Sequence, residues 1–336
     1  MGRQVLNDDA VTSTEVGAGP AAETLGSSRR GRPAKRPNRQ RRSDTRAAFF
    51  FISPWILGFL IFTLWPVIYS GYLSFTDYDV INDATFVGLD NYREMFDDPK
   101  VTLALRNTFV FTLMSVPAKI VAALLLAMLL KRAARASGFF RTAFFLPKMT
   151  PPVAIGVLLL LLFNGQQGLL NVFLGVFGIN GPAWTTDPTW VKPGLVLMSL
   201  WTVGATIIIF LAALQNVPQE LYDSAMVDGA SPWQRFWRIT VPMISPTIFF
   251  VMIINTIDSL QSFTEAYTAF FGSGNTTYSN DAALFYAIYL FQQAFQFLHM
   301  GYASALAWLM FLIIMLVTAL QFWGSKKLVY YEGESR

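Results

Sequence analysis

The chain contains no cysteine and a single histidine, and only 14% of its 336 residues are charged. Without cysteine there is neither a disulfide framework nor thiolate chemistry. His299 has no metal-ligating companion near it in sequence and reads as a polar anchor in an external interfacial region. Asp97-Asp98 lacks a second acidic cluster to complete a metal or diphosphate site, and reads as a solvated loop. No G-x-x-x-x-G-K-[ST] run occurs, so the chain is not expected to hydrolyse ATP itself, nor to act as an enzyme or hold a cofactor. A soluble domain carries roughly a quarter charged residues. At 54% hydrophobic and 15% aromatic, this chain is expected instead to be an integral membrane protein.

Six segments are long and apolar enough to cross a hydrocarbon core about 30 Å thick. They lie near residues 47–73, 107–130, 142–164, 193–215, 246–268 and 302–324, which predicts an all-α polytopic fold. The first is too long for a cleaved signal, and no small-x-small pattern follows it, so it reads as a retained helix. Lys and Arg number ten in residues 1–46, four in 131–141, two in 218–246 and three after 324. The opposite flanks hold few, and 269–301 none, which predicts cytoplasmic termini. Residues 1–46 are rich in Gly, Pro, Ser and Arg without apolar period. They are expected to be a disordered tail whose Arg29–Arg46 cluster contacts anionic lipid rather than nucleic acid. Residues 47–325 then form the membrane domain and 326–336 a short C-terminal tail.

Between the fourth and fifth segments, Pro218–Pro246 is a polar, helix-breaking insert. Pro218 suits a first helical turn, and Gly229 sits where a C-terminal cap needs left-handed backbone. Ser231 can cap a second helix with Pro232 in its first turn, and Trp233, Phe236 and Trp237 fall on one face. Asp223-Ser224-Ala225, then Asp228-Gly229-Ala230, then Phe236, Ile239 and Pro242 resemble the EAA loop of binding-protein-dependent ABC importers, usually E-A-A, three residues on D-G-A, then F, I and L-P. Here Asp stands for Glu and Ser for the first Ala. A second match, Phe86 to Tyr92 followed by Asn107-Thr108, resembles the F-x-G-L-x-N-Y and N-T signature of the sugar-permease branch. Gly301 to Ala305 is similar to the segment before that branch's last helix, although Gly272-Ser273-Gly274 stands where the family often has G-G-P.

The resemblance implies a type I ABC importer permease in a bacterial cell membrane, translocating a sugar or oligosaccharide. Its implied partners are a second permease, a pair of ATPase subunits that bind ATP and magnesium, and an external solute-binding protein. The loop at 216–246 would couple to the ATPase through Asp223, Ser224, Ala225, Asp228, Gly229 and Ala230, with Trp233, Phe236 and Trp237 fastening its second helix to the bundle. A phosphorylated-polyol importer is the nearer alternative, and a gradient-driven secondary transporter the more distant. No internal repeat supports the latter.

The fifth segment is polar for a membrane helix. At about 100° per residue, Asn255, Asp258, Ser262 and Glu265 fall within roughly 80° of one another, with Gln261 beside them. Ionisable groups at bilayer depth do not face lipid, so this face lines a solute path or a polar subunit interface. Lys119 is the one cation near mid-span, open to an internal ion pair with Asp258 or Glu265 or to solute, while Lys148 can snorkel. Pro147, Pro151 and Pro152 are expected to bend the third segment, as a gate or as a packing feature.

Overall fold

The computed structural model describes residues 38–132, 137–165, 167–272 and 280–328. The chain divides into two units between Ile61 and Phe62. In the first, helix α1 (Asn38–Phe59) starts ahead of the apolar run. Arg, Gln and Ala favour helix, and extending a formed helix costs little, so residues 38–46 are helical where a structureless tail was expected. Residues 1–37 and 329–336 of the two tails, and 273–279 around the expected G-G-P position, lie outside the described residues.

A π turn (Leu60–Leu64) leads to α2 (Trp65–Leu73) and a two-stranded hairpin, β1 (Thr76–Asp77) antiparallel to β2 (Thr85–Phe86). Asp79 in its turn accepts from the backbone and side-chain amides of Asn82 and the backbone of Ile81, which hold its carboxyl below the usual range. Next come α3 (Asp90–Asp97) and α4 (Pro99–Arg132). The signature residues here are ties. Asn91 donates to the carbonyls of Ser74 at 3.0 Å and Thr76 at 2.9 Å, and Tyr92 to the Ser74 hydroxyl at 2.9 Å. Asn107 donates to the carbonyls of Asp281 at 2.7 Å and Leu284 at 3.0 Å, while the Thr108 hydroxyl accepts the Tyr286 N–H at 2.9 Å.

The chain continues as α5 (Ser137–Phe145), a 3₁₀ turn (Leu146–Met149), α6 (Pro152–Phe163), α7 (Leu169–Val176), α8 (Pro188–Leu200) and α9 (Gly204–Asn216). The insert follows as α10 (Gln219–Val227), α11 (Pro232–Arg235), a π turn (Phe236–Thr240) and α12 (Val241–Met243). Then come α13 (Ser245–Leu260), α14 (Thr264–Phe270), α15 (Asn280–Ala283), α16 (Tyr286–Phe291), a π turn (Gln292–Gln296) and α17 (Met300–Leu328).

Among the described residues, four helical stretches are long and apolar enough to cross a membrane: Ala48–Leu73, Pro99–Arg132, Ser245–Phe270 and Met300–Ser325. Two bent pairs, counted as one span each, bring the number to six: Gly138–Met149 with Pro152–Phe163 at 96°, and Pro188–Leu200 with Gly204–Asn216 at 56°. The first bend lies at the expected prolines, where Pro151 and Pro152 cannot donate to the preceding turn. Within the second unit, α4 is the frame. Its first half packs in a core with Leu159 of α6, Leu195 of α8, Phe270 of α14, Tyr286 and Leu306. Its second half presents Ala123 and Ala127 to Ile207, Phe210 and Leu214 of α9. Small residues one turn apart let the backbones approach. Asp98, expected in a solvated loop, instead accepts from the hydroxyls of Tyr289 and, at 3.0 Å, Tyr302, and Gln293 links Tyr289 to His299. Burial and this carboxylate push the Tyr289 phenol up, so it stays a donor.

Two substitutions test this packing. A Cβ on Gly156 would lie 2.8 Å from both the Glu265 carbonyl and Thr268 Cβ, so Gly156→Ala must separate α6 from α14. It should lower the Tm of the detergent-solubilised protein by several degrees, and an unchanged Tm contradicts that close approach. Asn107→Ala strands two carbonyls and should cost about 1–3 kcal/mol in the same assay.

Candidate functional site

The third, fourth and fifth spans each break, and the breaks converge. The third supplies Lys148, Thr150 and Pro152, the fourth Ser199 and Thr202, and the fifth Gln261, Ser262 and Phe263, all lining one cavity of about 310 Å³. Asp258 and Glu265 line it from either side of the fifth break. That break was not foreseen. Gln261 and Phe263 leave helical geometry, Phe263 at φ −138° and ψ −66°, so a single helical wheel does not describe residues 255–265. Asn255 is the exception among the predicted path residues: its amide donates to the Val251 carbonyl at 2.9 Å, and it does not line the cavity.

Lys119 on α4 is buried, with its ammonium 3.6 Å from Asp258 Oδ2, so Asp258 rather than Glu265 is its ion-pair partner. The Asp258 side chain is 69% exposed and lines the cavity, while that of Lys119 is 10% exposed. Ser115 and Ser259 share a hydrogen bond at 3.1 Å beside it, and Gln321 of α17 donates to Thr256 at 2.9 Å. These bonds hold α13 in register with α4 and α17. Phe263 stacks on Tyr267 at 5.0 Å, giving the cavity a fixed aromatic edge. Thr150, Ser199 and Thr202 were missed from sequence; the signal was hydroxyls placed beside helix breaks in otherwise apolar segments.

The insert is held by its caps. The N–H of Ala230 returns to the Ala225 carbonyl at 2.9 Å and that of Gly229 to Met226 at 3.1 Å, a paired closure requiring left-handed backbone at Gly229, whose φ is +75°. Pro218 is the N-cap, and Gln219 opens α10. Ser231 and Gln234 form a reciprocal capping box at the start of α11. Asp223 accepts from Gln219 at 3.1 Å, and Ser224 donates to the Glu220 carbonyl at 3.0 Å. Asp223, Ser224, Asp228 and Gly229 are exposed, Ala225 and Ala230 half-buried.

Only Phe236 of the three predicted aromatic fasteners packs on the bundle, together with Tyr222 and Ile239. Trp233 and Trp237 are exposed, at 69% and 52%. The i→i+5 turn after Arg235 breaks the 3.6-residue spacing assumed for that face. Tyr222 bonds Thr240 at 2.9 Å, joining the two halves of the insert. Met226 and Val227, the latter 88% exposed, form an apolar tip between the two acidic motifs that sequence reading did not single out.

Residues 107–330 match the family described as binding-protein-dependent transport system inner membrane component. A probable ABC transporter permease protein, YesP of Bacillus subtilis, is 40% identical over 90% of this chain and 98% of its own length. The lactose transport system permease protein LacF of Rhizobium radiobacter is 34% identical, covering 83% of this chain and 94% of its own. One chain of a solved bacterial alginate ABC transporter, in complex with its alginate pentasaccharide-bound periplasmic protein, has the same fold, with a TM-score of 0.75 at 23% identity over 87% of this chain and 98% of that one. The chain belongs to the binding-protein-dependent transport system inner membrane component family, as a multi-pass ABC importer permease subunit.

Proposed function

We propose that this chain carries a sugar or oligosaccharide, delivered by an external solute-binding protein, through the cavity at its three helix breaks. The observation that carries this reading is the lining. Carboxylates, an amide and hydroxyls from three spans surround an aromatic ring, a set suited to paired hydrogen bonds with vicinal hydroxyls and to stacking on a sugar face. Asp258, Gln261, Ser262 and Glu265 supply the polar contacts. Asn255 is left out. A phosphorylated polyol asks for cations without a nearby carboxylate; here Lys119 is engaged by Asp258, and Lys148 shares the cavity with the carboxylates of Asp258 and Glu265.

The chain would work beside a second permease and a pair of ATP-binding subunits, which hold ATP and magnesium. Both termini and the insert face the cytoplasm on this reading, which the excess of Lys and Arg on that side supports. Asp223, Ser224, Ala225, Asp228, Gly229 and Ala230 dock on the ATP-binding subunit, with Met226 and Val227 as the apolar tip of the contact. Helix α9 runs from the fourth break to the insert and α13 from the insert to the fifth break. Displacement of the insert is thereby transmitted to the cavity along two helices.

Two variants test the reading. Gly229→Pro cannot adopt φ +75° and loses the N–H bonded to Met226. It should abolish solute-stimulated ATP hydrolysis while the complex stays in the membrane; retained stimulation rejects the docking role. Glu265→Ala removes a cavity carboxylate without breaking an ion pair. Uptake by assembled complexes should fall on the order of tenfold at low solute concentration, the loss of one charged hydrogen bond. Wild-type uptake would remove Glu265 from the path.

A further inference from the structure

A second cavity, of about 450 Å³, lies where two spans meet the insert, and its chemistry differs from that of the first. Among the described residues three cations line it, Lys131, Arg132 and Arg235, and no carboxylate does. Asp223, on the adjacent helix, is not part of the lining and is engaged by Gln219. The Arg235 Nε is buried and meets no acceptor, a costly state for an N–H unless a ligand supplies one. Lys131 donates to the Leu214 carbonyl at 2.8 Å and sits 5.4 Å over the Tyr222 ring, which fixes its ammonium at the cavity edge. The remaining walls are largely apolar, with Met128, Leu214 and Phe236 among them.

Position completes the argument. Lys131 and Arg132 close the span Pro99–Arg132, and Leu214 lies in the last turn of the bent pair ending at Asn216. The apolar run of that span ends at Leu130, so the cations follow it directly, while Met128 lies one turn back within it. We propose that this cavity binds an anionic phospholipid, its phosphate among Lys131, Arg132 and Arg235 and the start of an acyl chain along Met128 and Leu214. A free phosphate would satisfy the cations but leave the apolar wall facing water. The site is separate from the solute cavity and does not depend on the identity of the solute.

The test uses the assembled complex, solubilised with phosphatidylglycerol or phosphatidylcholine, exchanged into lipid-free detergent and weighed intact by native mass spectrometry. Wild type should retain phosphatidylglycerol, and the double variant R132Q/R235Q should retain it about thirtyfold less, the loss expected for two basic side chains at an anionic headgroup. R235K should keep retention. R132Q alone, at an exposed position where folding is not at stake, should lose part of it. R238Q, an exposed cation on the same insert that does not line the cavity, should match wild type. Equal retention by wild type and the double variant, or equal retention of phosphatidylcholine, would overturn the proposal. So would displacement of the lipid by millimolar inorganic phosphate, which would identify a free phosphate as the ligand.

Discussion

A peptide group inside a bilayer has no water to fall back on, so irregular backbone survives there only where protein or a wet cavity satisfies it. Among the described residues, the two bent pairs and the stretch Ser245–Phe270 are interrupted, and all three interruptions border one cavity. Short turns absorb part of the deficit, with Thr150 N–H on the Pro147 carbonyl, Trp201 on Met198 and Ser262 on Ser259. The hydroxyls and amide of Thr150, Ser199, Thr202, Gln261 and Ser262 stand at the same places. The polar side chains and the broken backbone thus stand together, and in a bilayer each is tolerable only where protein or water satisfies it.

Around this point the rest of the second unit is organised as a frame with two ends. At one end Asn91, Asn107 and Thr108 spend their side chains on backbone groups of other segments, so residues that read as a family signature act as stitches, tying α3 to the end of α2 and β1, and α4 to α15 and α16. At the other end the capped insert hangs between α9 and α13. Those two helices pack on the second half of α4 through an apolar seam, which the Lys119–Asp258 pair and the Lys131 bond to the Leu214 carbonyl pin at either end.

Much of this was legible in the sequence because it rests on local physics. Apolar runs located the four long helices and the two bent pairs, although α4 starts eight residues ahead of its apolar run; the proline cluster located the bend at Met149–Pro152, and Gly229, Ser231 and Pro232 announced the caps of the insert. What escaped reading depends on neighbours. The breaks at Trp201–Val203 and Gln261–Phe263 contain no proline and arise where polar side chains from other helices meet them. Asn255 follows the polar stripe in sequence but turns its amide to its own helix, and a π turn took Trp233 and Trp237 off the face predicted for them. Asp98 looked solvated because the tyrosines that engage it lie about two hundred positions along the chain.

Because the chain has no cysteine, a single introduced thiol reports on one place alone. Thr202→Cys, in the assembled and reconstituted complex, puts that thiol at the fourth break, on the wall of the cavity. If the three breaks enclose the solute path, a small membrane-impermeant thiol reagent labels it in a nucleotide-dependent manner, and solute-loaded binding protein slows the labelling. Labelling that is absent in every nucleotide state, or indifferent to solute, would contradict the account.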